Sequence, residues 1–127
     1  MVLGLGMDVV SIARMEGILQ GPPARVERFL ARCFTPAERG YCDGARDRAA
    51  RYAARFAAKE AASTALGAPT GIRFLDVEVM RDAGPPTLRL DGAAAEAARA
   101  LGVARALVTM THDAGVAAAA VVLEGSR

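Results

Sequence analysis

Residues Val2 to Val10, VLGLGMDVV, alternate: Leu3, Leu5 and Met7 fall on one face, and Gly4, Gly6 and Asp8 on the other. A period of two over this length predicts a strand. The two glycines leave their face bare, so another backbone is expected to come close to it. Asp8 stands at the end of that bare face, where it either caps the following helix or serves a site. The period then changes. SIARMEGILQ predicts a short helix with Ile12, Met15 and Leu19 on one side, and Gly21-Pro22-Pro23 interrupts it. ARVERFLARCF resumes as a helix with Val26, Phe29, Leu30 and Cys33 inward and Arg25, Arg28 and Arg32 on the other side. TPAERGY carries a helix start: Thr35 as cap, Pro36 at the first position and Glu38 three residues after the cap.

Asp47 to Leu66 is the longest helical stretch, closed by Gly67. Tyr52 and Phe56 define its inward face, and the next step along that row is Glu60. A carboxylate that continues an aromatic stripe needs a partner, because burying it alone is costly. Arg51, Arg55 and Lys59 form a neighbouring row of like charge, a mild repulsion that an anion along the row would relieve. IRFLDVEVM predicts a half-buried strand, turned by DAGPP into TLRL. Asp91 opens a short helix that Gly102 ends. ALVTMT and GVAAAAVVLE predict two strands around the turn His112-Asp113-Ala114-Gly115. Small residues on both faces of the last strand imply tight packing on both sides. The order of elements predicts an α+β fold, one domain over residues 1–127, with a mostly antiparallel sheet packed against the long helix.

Composition adds three constraints. The chain has one lysine, Lys59, among sixteen basic residues, so arginine carries nearly every positive charge. The net charge of +2 does not mark a nucleic-acid binder. Neither a membrane-spanning run nor a secretory leader is visible, and Cys33 and Cys42 lack metal or redox spacing. Two buried, inert thiols and a reducing, cytoplasmic location are expected.

Three features remain for chemistry: Asp8 at a strand end, Lys59-Glu60 on the long helix, and His112, the one histidine. No zinc spacing and no phosphate-binding glycine loop occur, and nothing marks Ser11, Ser63 or Ser126 as a nucleophile. Two carboxylates from separate elements can hold a hard cation such as Mg²⁺, which takes its other ligands from water and substrate phosphates. A neighbouring lysine and a histidine could answer phosphate charge. The set suggests phosphoryl chemistry on a polyanionic substrate, against ordinary core and surface roles for the same residues.

Five stretches in order, GLGMDVVSIAR, FTPAE, RFAAKEAASTALG, DVEV and VTMTHDAGVAAAAVVLE, resemble the holo-acyl-carrier-protein synthase branch of the 4′-phosphopantetheinyl transferases. The resemblance implies that phosphopantetheine moves from coenzyme A to a serine of an acidic apo acyl carrier protein. It implies that Asp8 and Glu60 bind Mg²⁺ (Mn²⁺ is an alternative). Glu60 would also draw the serine proton, directly or through water. By the same carry-over Lys59 would stabilise charge at the scissile pyrophosphate, and Arg55, Thr111 and His112 would contact coenzyme A phosphates. Arg14, Arg25, Arg28 and Arg32 would dock the carrier. A homotrimer is implied, with His112 of one subunit serving Asp8 and Glu60 of another. One departure stands out: the family's frequent Gly-Lys-Pro turn is Gly84-Pro85-Pro86 here, so another group must compensate if that lysine helps hold coenzyme A.

Two other functions compete: a carrier-binding module of the same fold without turnover, and an arginine-rich nucleic-acid binder. Intact Asp8, Lys59, Glu60 and His112 argue against the first, while the missing turn lysine keeps it open. Near-neutral charge and few aromatic stacking groups count against the second.

Overall fold

The computed structural model describes residues 1–126. Its elements run β1 (Val2–Ser11), α1 (Ile12–Leu19), α2 (Pro23–Cys33), α3 (Pro36–Asp43), α4 (Arg48–Ala65), β2 (Val77–Met80), β3 (Thr87–Leu90), α5 (Gly92–Leu101), β4 (Val103–Asp113) and β5 (Val116–Gly125). The α+β architecture is as expected, but the strands form two sheets: one ordered β1-β5-β4, and a β2-β3 hairpin. All pairs are antiparallel.

Helix α4 lies across the larger sheet. Its contact face is almost all alanine, with Ala53, Ala57, Ala58, Ala61 and Ala62 buried. The bare glycine face of β1 is where the helix meets the strand. A Cβ on Gly6 would run into the Ala61 carbonyl, and one on Gly4 into the Ala65 carbonyl. The close approach expected from the glycines is thus a strand backbone laid against helix backbone.

The alternation in β1 has an unexpected sense. Its glycine side faces the helix, and its apolar side faces out, leaving Leu5, Met7 and Val9 exposed at 66%, 69% and 52%. Cross-strand register places Leu5 beside Val122, Met7 beside Ala120 and Val9 beside Ala118. Leu107 also pairs with Val122, from β4. The small residues of β5 therefore pack against α4 on one face only; the other completes an open apolar sheet surface. Its β1 side is apolar and its β4 side carries Thr109 and Thr111 beside Leu107; an exposed apolar strip of this kind is a surface that a partner can cover.

Smaller corrections follow from local hydrogen bonding. IRFLDVEVM is not one strand. Phe74–Asp76 forms a 3₁₀ turn, and only Val77–Met80 is extended. The Asp76 carboxylate accepts from the Arg73 backbone N–H and guanidinium, and Lys59 takes the Phe74 and Val77 carbonyls. The Phe74 carbonyl also accepts from the Val77 N–H, which closes the 3₁₀ turn just before the ladder begins. Asp8 caps nothing: the Ser11 side chain accepts from the Arg14 N–H at the start of α1. His112 and Asp113 end strand β4, and the hairpin turn is Ala114-Gly115 alone, both at positive φ (52° and 81°). Such angles suit the mirror-type turn that two-residue hairpins use. Asp91 precedes α5 without a side-chain cap bond.

Candidate active site

The glycine contact sets the site. Gly6 abuts Ala61, so Asp8, two residues along β1, comes beside Glu60, one residue before Ala61 on α4. The two carboxylates share a cavity of about 470 Å³ with Ser11, Arg14, Phe29 and Phe56. Burial pushes the Glu60 carboxyl above its ordinary range, and the negative charge of Asp8 pushes it further. Among the described residues, no cation or hydrogen-bond donor offsets either effect. Two oxygen-donor groups with uncompensated charge, half in water, fit a hard cation that keeps most of its own waters. No third His, Cys, Asp or Glu joins them among the described residues.

A second group lies on the other flank of α4. Arg55, Thr111 and His112 line a cavity of about 190 Å³ together with Tyr41, Arg51 and Arg81. Arg55 is 4% exposed. Its guanidinium and that of Arg51 sit 4.2 and 4.4 Å from the centre of the Tyr41 ring. The Arg55 Nη1 donates to the Arg51 carbonyl at 3.4 Å, while its buried Nε has no partner. The His112 Nε2 is 3.8 Å from the Asp47 carboxylate. Arg55 precedes Glu60 by five residues, about 140° round the helix at 3.6 residues per turn. Within one chain, the carboxylates and this cationic group therefore line separate cavities.

Lys59 needs correction. The expectation put its ammonium at the pyrophosphate. In the structure the side chain is fully buried and forms an ion pair with Glu38 at 2.8 Å. It also donates to the carbonyls of Phe74, at 3.0 Å, and Val77. An ammonium has three donors, and all three are used. Burial pushes Lys59 below the ordinary lysine range, and the Glu38 carboxylate opposes that shift. Glu38 in turn accepts from the backbone N–H groups of Thr35, as part of the helix-start capping box, and of Val79. The lone lysine thus ties α3, α4 and β2 together, a place where a planar guanidinium cannot aim three donors at three separate oxygens.

Arg25, Arg28 and Arg32 are exposed, as expected, and flank a groove of about 750 Å³ floored by Phe29, Phe56 and Phe74. Phe56 stacks on Phe74 at 5.1 Å and meets Phe29 at 6.3 Å. Phe29 and Phe56 also line the Asp8–Glu60 cavity, which Arg14 enters from α1. The arginine face therefore runs into the carboxylates across an aromatic floor. The sequence pointed to Phe29 only as core; its place about one turn from Arg25 and from Arg32 did not separate the roles. Cys33 and Cys42 are both free and buried. Burial raises both thiols, Cys42 to about 12, so neither is a nucleophile.

This fold, with paired carboxylates where α4 crosses β1, defines a class. Residues 4–119 match the 4′-phosphopantetheinyl transferase superfamily, and the chain belongs to that family. Among its relatives, the holo-[acyl-carrier-protein] synthase of Anaeromyxobacter sp. (strain Fw109-5) is 74% identical, covering 98% of this chain and 97% of that one. The holo-[acyl-carrier-protein] synthase of Myxococcus xanthus (strain DK1622) is 53% identical over 97% and 95%. The crystal structure of Helicobacter pylori holo-[acyl-carrier-protein] synthase in complex with coenzyme A superposes with a TM-score of 0.79 at 32% identity, covering 94% of this chain and 99% of that one.

Proposed function

We propose that the protein is a holo-[acyl-carrier-protein] synthase. It transfers the 4′-phosphopantetheine arm of coenzyme A to a serine hydroxyl of an apo acyl carrier protein and releases adenosine 3′,5′-bisphosphate. The serine oxygen forms a bond to the phosphorus that bears the pantetheine arm, and the bond from that phosphorus to the bridging oxygen breaks. The observation that carries this reading is the pairing of Asp8 and Glu60, unneutralised, in one cavity of a chain from this family. Asp8 and Glu60 would hold Mg²⁺ or Mn²⁺, whose chemistry there is to offset pyrophosphate charge. Glu60 takes the serine proton, directly or through water. Arg55, Thr111 and His112 hold coenzyme A phosphates. Arg14, Arg25, Arg28 and Arg32 receive an acidic carrier, whose approach they would steer.

The active unit is a homotrimer with sites built between subunits. Two features support this: the carboxylates and the cationic cavity lie on different flanks of α4, and the outer sheet face exposes Leu5, Met7, Val9 and Leu107. The work is cytoplasmic, in fatty-acid or polyketide synthesis; among the described residues no helix is long and apolar enough to cross a membrane.

The test is to incubate protein, coenzyme A, Mg²⁺ and apo carrier, then weigh the carrier. A gain of one phosphopantetheine arm is expected; carrier binding without a mass gain would instead mark a non-catalytic module. For the assembly, inactive His112→Ala and inactive Glu60→Ala proteins are mixed under subunit exchange. Recovery of some activity is expected, and none in demonstrated mixed trimers would place the whole site in one chain.

A further inference from the structure

We propose that the buried pair Glu38–Lys59 positions Phe74 as an apolar contact for the incoming carrier, so that this ion pair tunes carrier recognition while touching neither substrate. This rests on the function proposed above. Phe74 opens the 3₁₀ turn Phe74–Asp76. Asp76 secures the end of that turn through Arg73, and Lys59 secures its start: the Phe74 carbonyl accepts from the ammonium at 3.0 Å. Glu38 aims the ammonium from 2.8 Å away, and both side chains are 0% exposed. Glu38 is itself held on every side. Its carboxylate accepts from the backbone N–H groups of Thr35 at 2.9 Å and Val79 at 2.7 Å. Its own N–H donates to the Thr35 hydroxyl at 3.2 Å, which donates in turn to Glu78 at 2.6 Å.

A buried ion pair often stabilises a fold no more than apolar side chains of the same volume would. What it adds is direction, because an ammonium fixes the oxygens that its three donors reach. Here the direction ends at a ring that is only half-buried. The Phe74 ring stacks on Phe56 at 5.1 Å, with 27° between their planes. It lines the groove of Arg25, Arg28 and Arg32, and also a small cavity of about 80 Å³ that it shares with Glu60. Phe74 therefore stands between the cations that draw in an acidic carrier and the carboxylate that takes the serine proton. An acidic helix carrying an apolar side chain fits this combination, with its charges on the arginines and its apolar group on the rings. The coenzyme A phosphates belong to the other flank of α4, away from this ring.

The experiment is steady-state transfer by wild type, Phe74→Ala, the neutral pair Glu38→Gln with Lys59→Met, and all three substitutions together. Each substrate is titrated in turn, and Tm is recorded for every protein. Losing an aromatic contact, or its placement, should raise the carrier KM about five- to tenfold, while the coenzyme A KM should not move. Partial unfolding cannot produce that split, because it lowers the amount of active enzyme and so the apparent kcat alone. The neutral pair and Phe74→Ala act on one ring, so their effects on the carrier KM should not multiply, and the triple variant should match the larger of the two. An unchanged carrier KM in Phe74→Ala or in the neutral pair would overturn the proposal. So would an equal rise in both KM values, or effects that multiply in the triple variant. Phe74→Ala keeps both buried charges in place, so its carrier KM is decisive even where the neutral pair folds poorly. A wild-type protein that transfers nothing to apo carrier would refute the synthase reading instead.

Discussion

Replacing Lys59 with Met separates a structural role from a catalytic one. The side chain keeps its length and loses its charge. Glu38 then remains fully buried with two backbone N–H donors but no counter-charge. Stranding one member of a buried ion pair costs ~3–5 kcal/mol. For a chain of this size each kcal/mol lowers Tm by roughly 3–5 °C, so a fall of about 10–20 °C is expected. That is a large part of the ~5–15 kcal/mol that holds a typical domain folded. Adding Glu38→Gln removes the stranded charge, and the amide oxygen can still accept one of the two N–H groups. The double variant should therefore regain about 2 kcal/mol relative to the sum of the single variants, a coupling that only contacting groups show. Lys59→Arg should also destabilise, because its fork cannot reach Glu38 and both carbonyls in a space filled by an ammonium. The assay is a thermal melt of wild type, Lys59→Met, Glu38→Gln, the double variant and Lys59→Arg, with transfer rates taken well below the lowest Tm. If the ammonium is structural, folded Lys59→Met retains most of its kcat. A variant with Tm within a few degrees of wild type but kcat down a hundredfold would refute the reasoning. It would return Lys59 to the pyrophosphate, where family resemblance puts it.

Glu60→Gln should abolish transfer and yet raise Tm at pH 7. A carboxyl raised in the folded state costs stability above that folded value, and the cost vanishes as pH falls below the unfolded one. The gain should accordingly disappear in melts below about pH 4, near the ordinary glutamate value, and a gain that persists there would exclude this cause. Gly6→Ala should cost at least the ~1–3 kcal/mol typical of overpacking, because its Cβ meets a carbonyl that cannot swing away; a urea melt unchanged from wild type would contradict the contact. Paired Arg14→Glu and Arg28→Glu should raise the carrier KM far more than the coenzyme A KM. The carrier dependence on salt should also flatten, as expected for steering screened over ~8 Å; titrations of both substrates at two salt concentrations decide it, and an unchanged carrier KM would leave the arginines as a solvated face.

The glycine spacing in β1 was enough to foresee a backbone pressed against it, because nothing but glycine permits that distance. The ends of α4 and the start of α3 were legible for a similar reason: caps are local. What failed was long range. Glu38 looked fully explained as a capping-box residue, so its second role, holding an ammonium 21 positions later, left no trace in spacing. Lys59 consequently looked free for phosphate. Alternation in β1 showed that its faces differ but not which of them is covered, and the apolar one proved to be outside. The strand expected at IRFLDVEVM was shortened by a 3₁₀ turn closed on the Phe74 carbonyl, which also accepts from Lys59, again a partner distant in sequence. Asp8 and Glu60 were both singled out, but only the crossing of α4 over β1 brought them into one cavity.

That crossing has an evolutionary consequence. Gly4 and Gly6 rest on the carbonyls of Ala65 and Ala61, so the gap between strand and helix is set by main chain against main chain. Side chains elsewhere can be exchanged over many generations, resizing the rest of the interior, without spreading the two acids apart. The same arrangement removes any gradual way to retune their separation. Lineages can vary what surrounds the pair, but altering the pair's own spacing requires losing a glycine, and with it the seat of the helix.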